Sequence, residues 1–215
     1  MANFTVEKSH VIFKHLIHVG PEIDAEAVAD FATRRNYSKQ TRQVRTPNGI
    51  LKEYLFRPTT NPQSLIVFSR KGFVIDAKPS KEVLPLFRDA YDFYEKVMED
   101  KAMTATVVLE INTQFEVFSS RSVSELIGTL YANGVNSIEL GKLELQPHGI
   151  ILSAGSGRFP DKSVQFNAQP FNKDPERRLV VRVIYRSTEL DDALKFVKRI
   201  DDEVVRILNQ IAERK

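Results

Sequence analysis

Hydrophobic and polar positions alternate near the start of the chain. Val11, Phe13, Ile17 and Val19 interleave with His10, Lys14 and His18, the period of two that a half-buried strand requires. Ile12 and Leu16 fall on the polar side of that strand. Gly20 and Pro21 end it, and Ile23, Ala27, Val28 and Phe31 then recur at helical spacing behind Glu22, Asp24 and Glu26. Acids in a first turn suit the positive end of a helix dipole, so a first helix is predicted to about Arg35. Pro47, Asn48 and Gly49 mark a turn between a polar strand at Gln40–Thr46 and a stronger one at Ile50–Arg57. Lys71 and Gly72 mark a second hairpin between Leu65–Arg70 and Phe73–Ala77. From Ser80 onward, Val83, Phe87, Ala90, Tyr91, Tyr94, Val97 and Met98 line one side of a long helix, and Pro85 predicts a distortion near its start.

The same order follows in the rest of the chain. Val107, Leu109, Ile111, Phe115 and Val117 alternate with Glu110, Asn112, Gln114 and Glu116, a half-exposed strand. Ser122 and Glu125 have capping-box spacing ahead of Leu126, Ile127 and Leu130, and Asn133 and Gly134 suit the end of that helix. Strands are predicted at Ser137–Leu145, Gly149–Ala154, Ser163–Gln169 and Leu179–Arg186. One final helix carries Leu190, Ala193, Leu194, Val197, Ile200, Val204, Ile207, Leu208 and Ile211. The predicted class is α+β, with two β-α-β4-α halves at residues 1–101 and 102–215. Such halves can share one curved antiparallel sheet, helices on one face and the other face open.

That order resembles the repeat of the TATA-box-binding-protein family, and residues 64–82 carry the likeness. They read Ser64-Leu-Ile-Val-Phe-Ser-Arg-Lys-Gly-Phe-Val-Ile-Asp-Ala-Lys78, followed by Ser80, Glu82 and the long helix. The family shows a Leu-Ile-Phe strand, a Ser-Gly-Lys turn, an apolar strand ending near Gly-Ala-Lys, and a helix. Here Arg70 and Lys71 precede the turn glycine, and Asp76 stands where the family has glycine. The resemblance implies that fold, and it implies phenylalanine wedges against nucleic acid on the open face, with Phe68 as the candidate wedge, although alignment without a gap puts Val67 at that position. Glu110 and Glu116 would point toward that partner, which disfavours duplex DNA of the TATA type.

With 42% hydrophobic and 27% charged residues the chain is ordinary for a globular protein, and 14 Phe against no Trp predict a phenylalanine core. The absence of Cys removes disulfides, thiolate metal sites and cysteine nucleophiles. The N-terminus lacks the apolar stretch of a signal peptide and no run approaches a membrane span, so a cytoplasmic protein without a membrane partner is expected.

Net charge is +3 but unevenly spread. Arg34, Arg35, Lys39, Arg42, Arg45, Lys52 and Arg57 cluster with Glu53 as the only acid among them, and Lys71 adds to the set. A basic surface of this kind meets phosphates, and equally it serves as a solvated edge that deters aggregation. His10 and His18 sit roughly 26 Å apart on one strand face, too far to share a metal, and His15 is expected inside, so neither metal nor cofactor is predicted. The Gly155-Ser156-Gly157-Arg158 loop lacks the Lys-Ser pair and helix start of a phosphate loop. Asp191, Asp192, Asp201, Asp202 and Glu203 fall into helical ion pairing with Lys198, Arg199 and Arg206.

No nucleophile elbow or zincin motif is present, so a non-enzymatic binding protein is expected. It would use the open sheet face and the basic hairpin, with nucleic acid ahead of protein as partner. The alternative is a homo-oligomeric or small-ligand module closed over Ile12, Leu16, Ile66 and Phe68, expected together on the open face. A third reading, an enzyme on the polar face of the second half, has Glu110, Glu116, Arg182 and Arg186 as candidates.

Overall fold

The computed structural model describes residues 4–17, 20, 22–47, 49–98, 106–131, 138–140, 143–145, 148–155 and 162–213. The elements run β1 (Phe4–Ile17), α1 (Ala25–Arg35), β2 (Tyr37–Thr46), β3 (Gly49–Pro58), β4 (Leu65–Ser69) and β5 (Gly72–Ala77). A 3-10 turn (Ser80–Glu82) leads into α2 (Val83–Met98), followed by β6 (Thr106–Ser119) and α3 (Val123–Tyr131). Then come β7 (Ile138–Leu140), β8 (Leu143–Leu145), β9 (Ile150–Ala154), β10 (Lys162–Phe171), β11 (Asp174–Ser187), α4 (Leu190–Lys198) and α5 (Ile200–Glu213).

The fold is α+β, with a nine-stranded sheet in the order β2-β3-β4-β5-β1-β6-β11-β10-β9 and antiparallel pairing. The strand expected at Ser137–Leu145 is instead a hairpin outside that sheet, β7 pairing β8 with Ile138 opposite Leu145 and Leu140 opposite Leu143. No described helix is long and apolar enough to cross a membrane.

Backbone contacts divide the chain into two compact units. One, here the α1–α2 unit, comprises residues 10–112 and 185–198; the other, the α3–α5 unit, comprises residues 1–9, 113–184 and 199–215.

In the α1–α2 unit the predicted alternation of β1 holds, with Val11, Phe13, His15 and Ile17 buried. Helix α1 starts at the Asp24 cap, whose carboxylate accepts from Glu26 N at 3.1 Å, and ends at Asn36 in the left-handed region. Its Phe31 meets Phe56, Phe68 and Phe93 with ring centroids 4.7–5.6 Å apart. Phe87 of α2 packs against Phe13 and Phe73 in the same layer. Pro85 lies in the first turn of α2, where no helical N–H bond is lost, and α2 runs unbroken past it. Gly72 is required where β5 leaves its turn. Its φ is +109°, and a Cβ there would lie 2.0 Å from the His15 carbonyl oxygen.

This packing corrects the expected placement of Ile66 and Phe68. Both are fully buried, and Phe68 touches Phe31 and Phe93 of the helices. The β4 segment Leu-Ile-Val-Phe has no polar residue to mark its phase, so its period of two could be entered on either side.

In the α3–α5 unit, Val204, Leu208 and Ile211 of α5 are buried, and α5 packs on α3, where Val123, Leu126 and Ile127 are buried. Buried Thr113 exchanges two hydrogen bonds with the Val183 backbone, donating to its carbonyl at 3.2 Å and accepting from its N–H at 3.1 Å. The single final helix is corrected to two. The break falls at Arg199, whose carbonyl accepts from Glu203 N and so begins α5. The continuous apolar stripe hides this break, but Asp201, Asp202 and Glu203 are a first-turn acid cluster of the kind that marks a helix start.

Candidate interaction surface

Residues paired directly across an antiparallel ladder share a face, so register places the helix-free side of the α1–α2 sheet. Ile12 lies opposite Asp76, which lies opposite Leu65. The neighbouring row is Lys14, Val74, Val67 and Leu55, and Leu16 follows opposite Gly72. Ile12, Leu16, Leu65, Val67 and Val74 are all half-buried, on the side away from the Phe68 layer that meets α1 and α2. Ile12 and Leu16 are therefore where the sequence predicts. Leu65, Val67 and Val74 occupy the positions expected of Ile66 and Phe68.

Polar groups on this face bond to one another. His10 Nε2 lies 2.7 Å from Asp76 Oδ1. Lys14 Nζ donates to Glu110 Oε1 at 2.7 Å, and Arg186 Nε donates to Glu110 Oε2 at 2.7 Å. Asn112 Nδ2 adds a third hydrogen bond to Glu110 at 2.9 Å. Burial by itself would raise the Glu110 carboxyl, but these donors outweigh it and hold the pKa at about 2. Arg42 pairs Glu53 at 2.6 Å on the same side of the β2–β3 hairpin as Leu55. In the α3–α5 unit, Lys8 pairs Glu116 at 2.8 Å. The carboxylates of the enzyme reading thus serve as ion-pair partners, and Glu110 and Arg186 hold each other.

The basic residues do not converge on one surface. Arg34 pairs Asp30 at 2.6 Å along α1, and Arg35 pairs Asp89 at 2.7 Å and Asp92 at 3.3 Å on α2. Both arginines line a cleft of about 610 Å³ between α1 and α2, floored by Phe31 and Phe93. Tyr37 donates to Asp89 at 2.6 Å; burial first, then this bond, push its hydroxyl pKa up. Lys71 sits half-buried in the β4–β5 turn, its N–H donating to Ser69 Oγ. Lys39, Arg45 and Lys52 alone form a basic group on one side of the β2–β3 hairpin, lying opposite Phe56, Ile50 and Gln43. Lys52 stands 5.0 Å from the Tyr54 ring centroid. A second cleft, of about 580 Å³, runs beside it, lined by Glu22, Asp24, Gln43, Tyr54 and Arg70 among others.

His15 is a core residue as predicted. Its ring stacks on Phe73 at 4.9 Å and meets the edges of Tyr94 and Tyr91. Burial lowers its pKa, against an opposing backbone hydrogen bond. His148 is exposed, and no group of His, Asp and Glu among the described residues is arranged to hold a metal ion. His18, Val19, the helix end at Asn133 and Gly134, and the Ser156–Arg158 part of the glycine loop lie outside the described residues. On the last helices Arg199 and Arg206 both pair Glu203, at 3.3 and 2.6 Å.

No family model matches the chain, and no curated protein matches it. A solved structure described as a nonspecific heme-binding cyclase, which catalyses a cycloaddition during neoabyssomicin biosynthesis, is similar at 8% identity. The match covers 93% of this chain and 78% of that one, with a TM-score of 0.13.

Proposed function

We propose that this chain is a non-enzymatic binding protein whose helix-free sheet face in the α1–α2 unit takes a protein surface, a second copy of the chain being the first partner to test. One observation carries the reading. Ile12, Leu16, Leu65, Val67 and Val74 lie half-exposed together, while Lys14, Glu110, Arg186, His10 and Asp76 beside them pair among themselves. An apolar patch whose polar neighbours bond one another suits a protein interface. A polyphosphate needs cations free to displace its counterions.

Nucleic acid is the second reading, favoured by Lys39, Arg45 and Lys52, which lie exposed on one side of the hairpin. Titrating short single-stranded and duplex DNA and RNA at two salt concentrations, with solution mass recorded in parallel, separates the two. A homo-oligomer without nucleic-acid affinity supports the first; salt-sensitive binding lost on reversing Lys39 and Arg45 supports the second.

We also propose that the sheet derives from two copies of one β-α-β4-α unit, as in the TATA-box-binding-protein family that residues 64–82 resemble. Support comes from the strand order, in which β5-β1 is followed by β6-β11 and each side continues outward through consecutive hairpins. The β7–β8 hairpin stands where the second copy would supply its remaining strand.

A further inference from the structure

We infer that β2 is a docking edge for an acidic, extended polypeptide segment, which adds to the sheet as a further strand. This goes beyond the sheet-face reading and uses a different surface. Strand β2 ends the sheet order, and no described strand pairs with its outer side. It is ten residues long and runs in unbroken register against β3 from Tyr37↔Pro58 to Thr46↔Gly49, with neither bulge nor proline. Alternate residues of such a strand direct their N–H and C=O groups away from the sheet, a template for another chain.

The side chains decide which chain fits. Strand β2 carries Lys39, Arg42 and Arg45 and no acid, and its side chains are largely exposed. A second copy pairing edge to edge therefore sets cation against cation in some register and finds a carboxylate in none. Centred on Arg42, it opposes Arg42 to Arg42 and Lys39 to Arg45, which is destabilising. Arg42 is already satisfied by Glu53. Lys39 and Arg45 share the other face, about 20 Å apart along the strand, with Lys52 of β3 between them in the adjacent row. An incoming strand with acids at alternate positions meets both, and its backbone completes the ladder. The exposed Ile50, paired with Arg45 at the hairpin end, gives one apolar contact beside them. Free phosphate chains use the cations but not the backbone edge, and this separates the two chemistries.

The test uses the full chain and a labelled, capped peptide of alternating Glu and Thr, as long as β2. Its counterparts are the same peptide N-methylated along one edge, an alternating Lys–Thr peptide, and an oligothymidylate of equal charge. Fluorescence anisotropy at two salt concentrations reads binding, and amide exchange reads β2. The expected result is salt-sensitive binding of the acidic peptide with slowed exchange in β2, weakened about tenfold or more by N-methylation and by Lys39→Glu with Arg45→Glu. Equal binding of the N-methylated peptide, preference for the oligothymidylate, or no binding of the acidic peptide overturns the inference.

Discussion

Lys14 reaches across to Glu110, ninety-six residues later in the chain, with Nζ 2.7 Å from Oε1. Arg186 and Asn112 complete the cage around this carboxylate. Replacement by Gln keeps the shape and removes the charge. Lys14 and Arg186 are partly solvated, so the expected cost of Glu110→Gln is about 1–2 kcal/mol, after discounting for solvent. The folded pKa of about 2 lies below the ordinary 4.5, so the stabilisation is complete above pH 4.5 and is lost as pH falls toward 2. Urea unfolding of both proteins at neutral and acid pH checks this. The variant should lose less stability on acidification than the parent.

Below neutrality His15 acts earlier. Its folded pKa is lowered from 6.5, so the unfolded chain takes up the proton first. Stability is therefore full above pH 6.5 and falls as pH drops below it. His15→Phe should keep the stack on Phe73 and flatten the pH dependence just below 6.5, read by thermal melts. An unchanged slope would assign it to other groups.

Tyr94 is buried, and its hydroxyl has no hydrogen-bond partner among the described residues. Burial raises its pKa to about 12, so the group stays neutral. Removing an unsatisfied buried hydroxyl costs nothing in lost bonds, so Tyr94→Phe should be neutral or stabilising by up to about 1 kcal/mol in urea unfolding. A clear loss of stability would show that the hydroxyl has a partner.

Phe68 and its neighbour Val67 point to opposite sides of β4. Phe68→Ala should cost about 3–5 kcal/mol, as a large aromatic leaves a cavity between α1 and α2, whereas Val67→Ser should cost well under half as much. Denaturant midpoints with unchanged slopes decide it. The reverse ranking would turn β4 over.

The same strand shows what a sequence reveals and what it hides. In β6 the alternation of Leu109, Ile111 and Phe115 with Glu110, Asn112 and Gln114 announces which side is buried, and these residues follow it. In β4 every residue from Leu65 to Phe68 is apolar, so the element is legible and its phase is not. That phase decides which β4 residues join the candidate surface, Leu65 and Val67 rather than Ile66 and Phe68. Ion pairing is hidden for another reason. The run from Arg34 to Arg57 is basic but for Glu53, and Asp89, Asp92 and Glu53 pair with Arg35 and Arg42 through contacts only folding creates. The α4–α5 break was readable from Asp201, Asp202 and Glu203, had their first-turn character outweighed the unbroken apolar stripe.

The most direct test of the sheet-face reading is light-scattering sizing across a concentration series, with apolar-dye fluorescence on the same samples, for the parent and for Leu16→Lys with Val67→Glu. The account predicts a parent heavier than one chain and a variant that returns to monomer mass while keeping its fold. A parent that is monomeric at every concentration and binds no dye would contradict it.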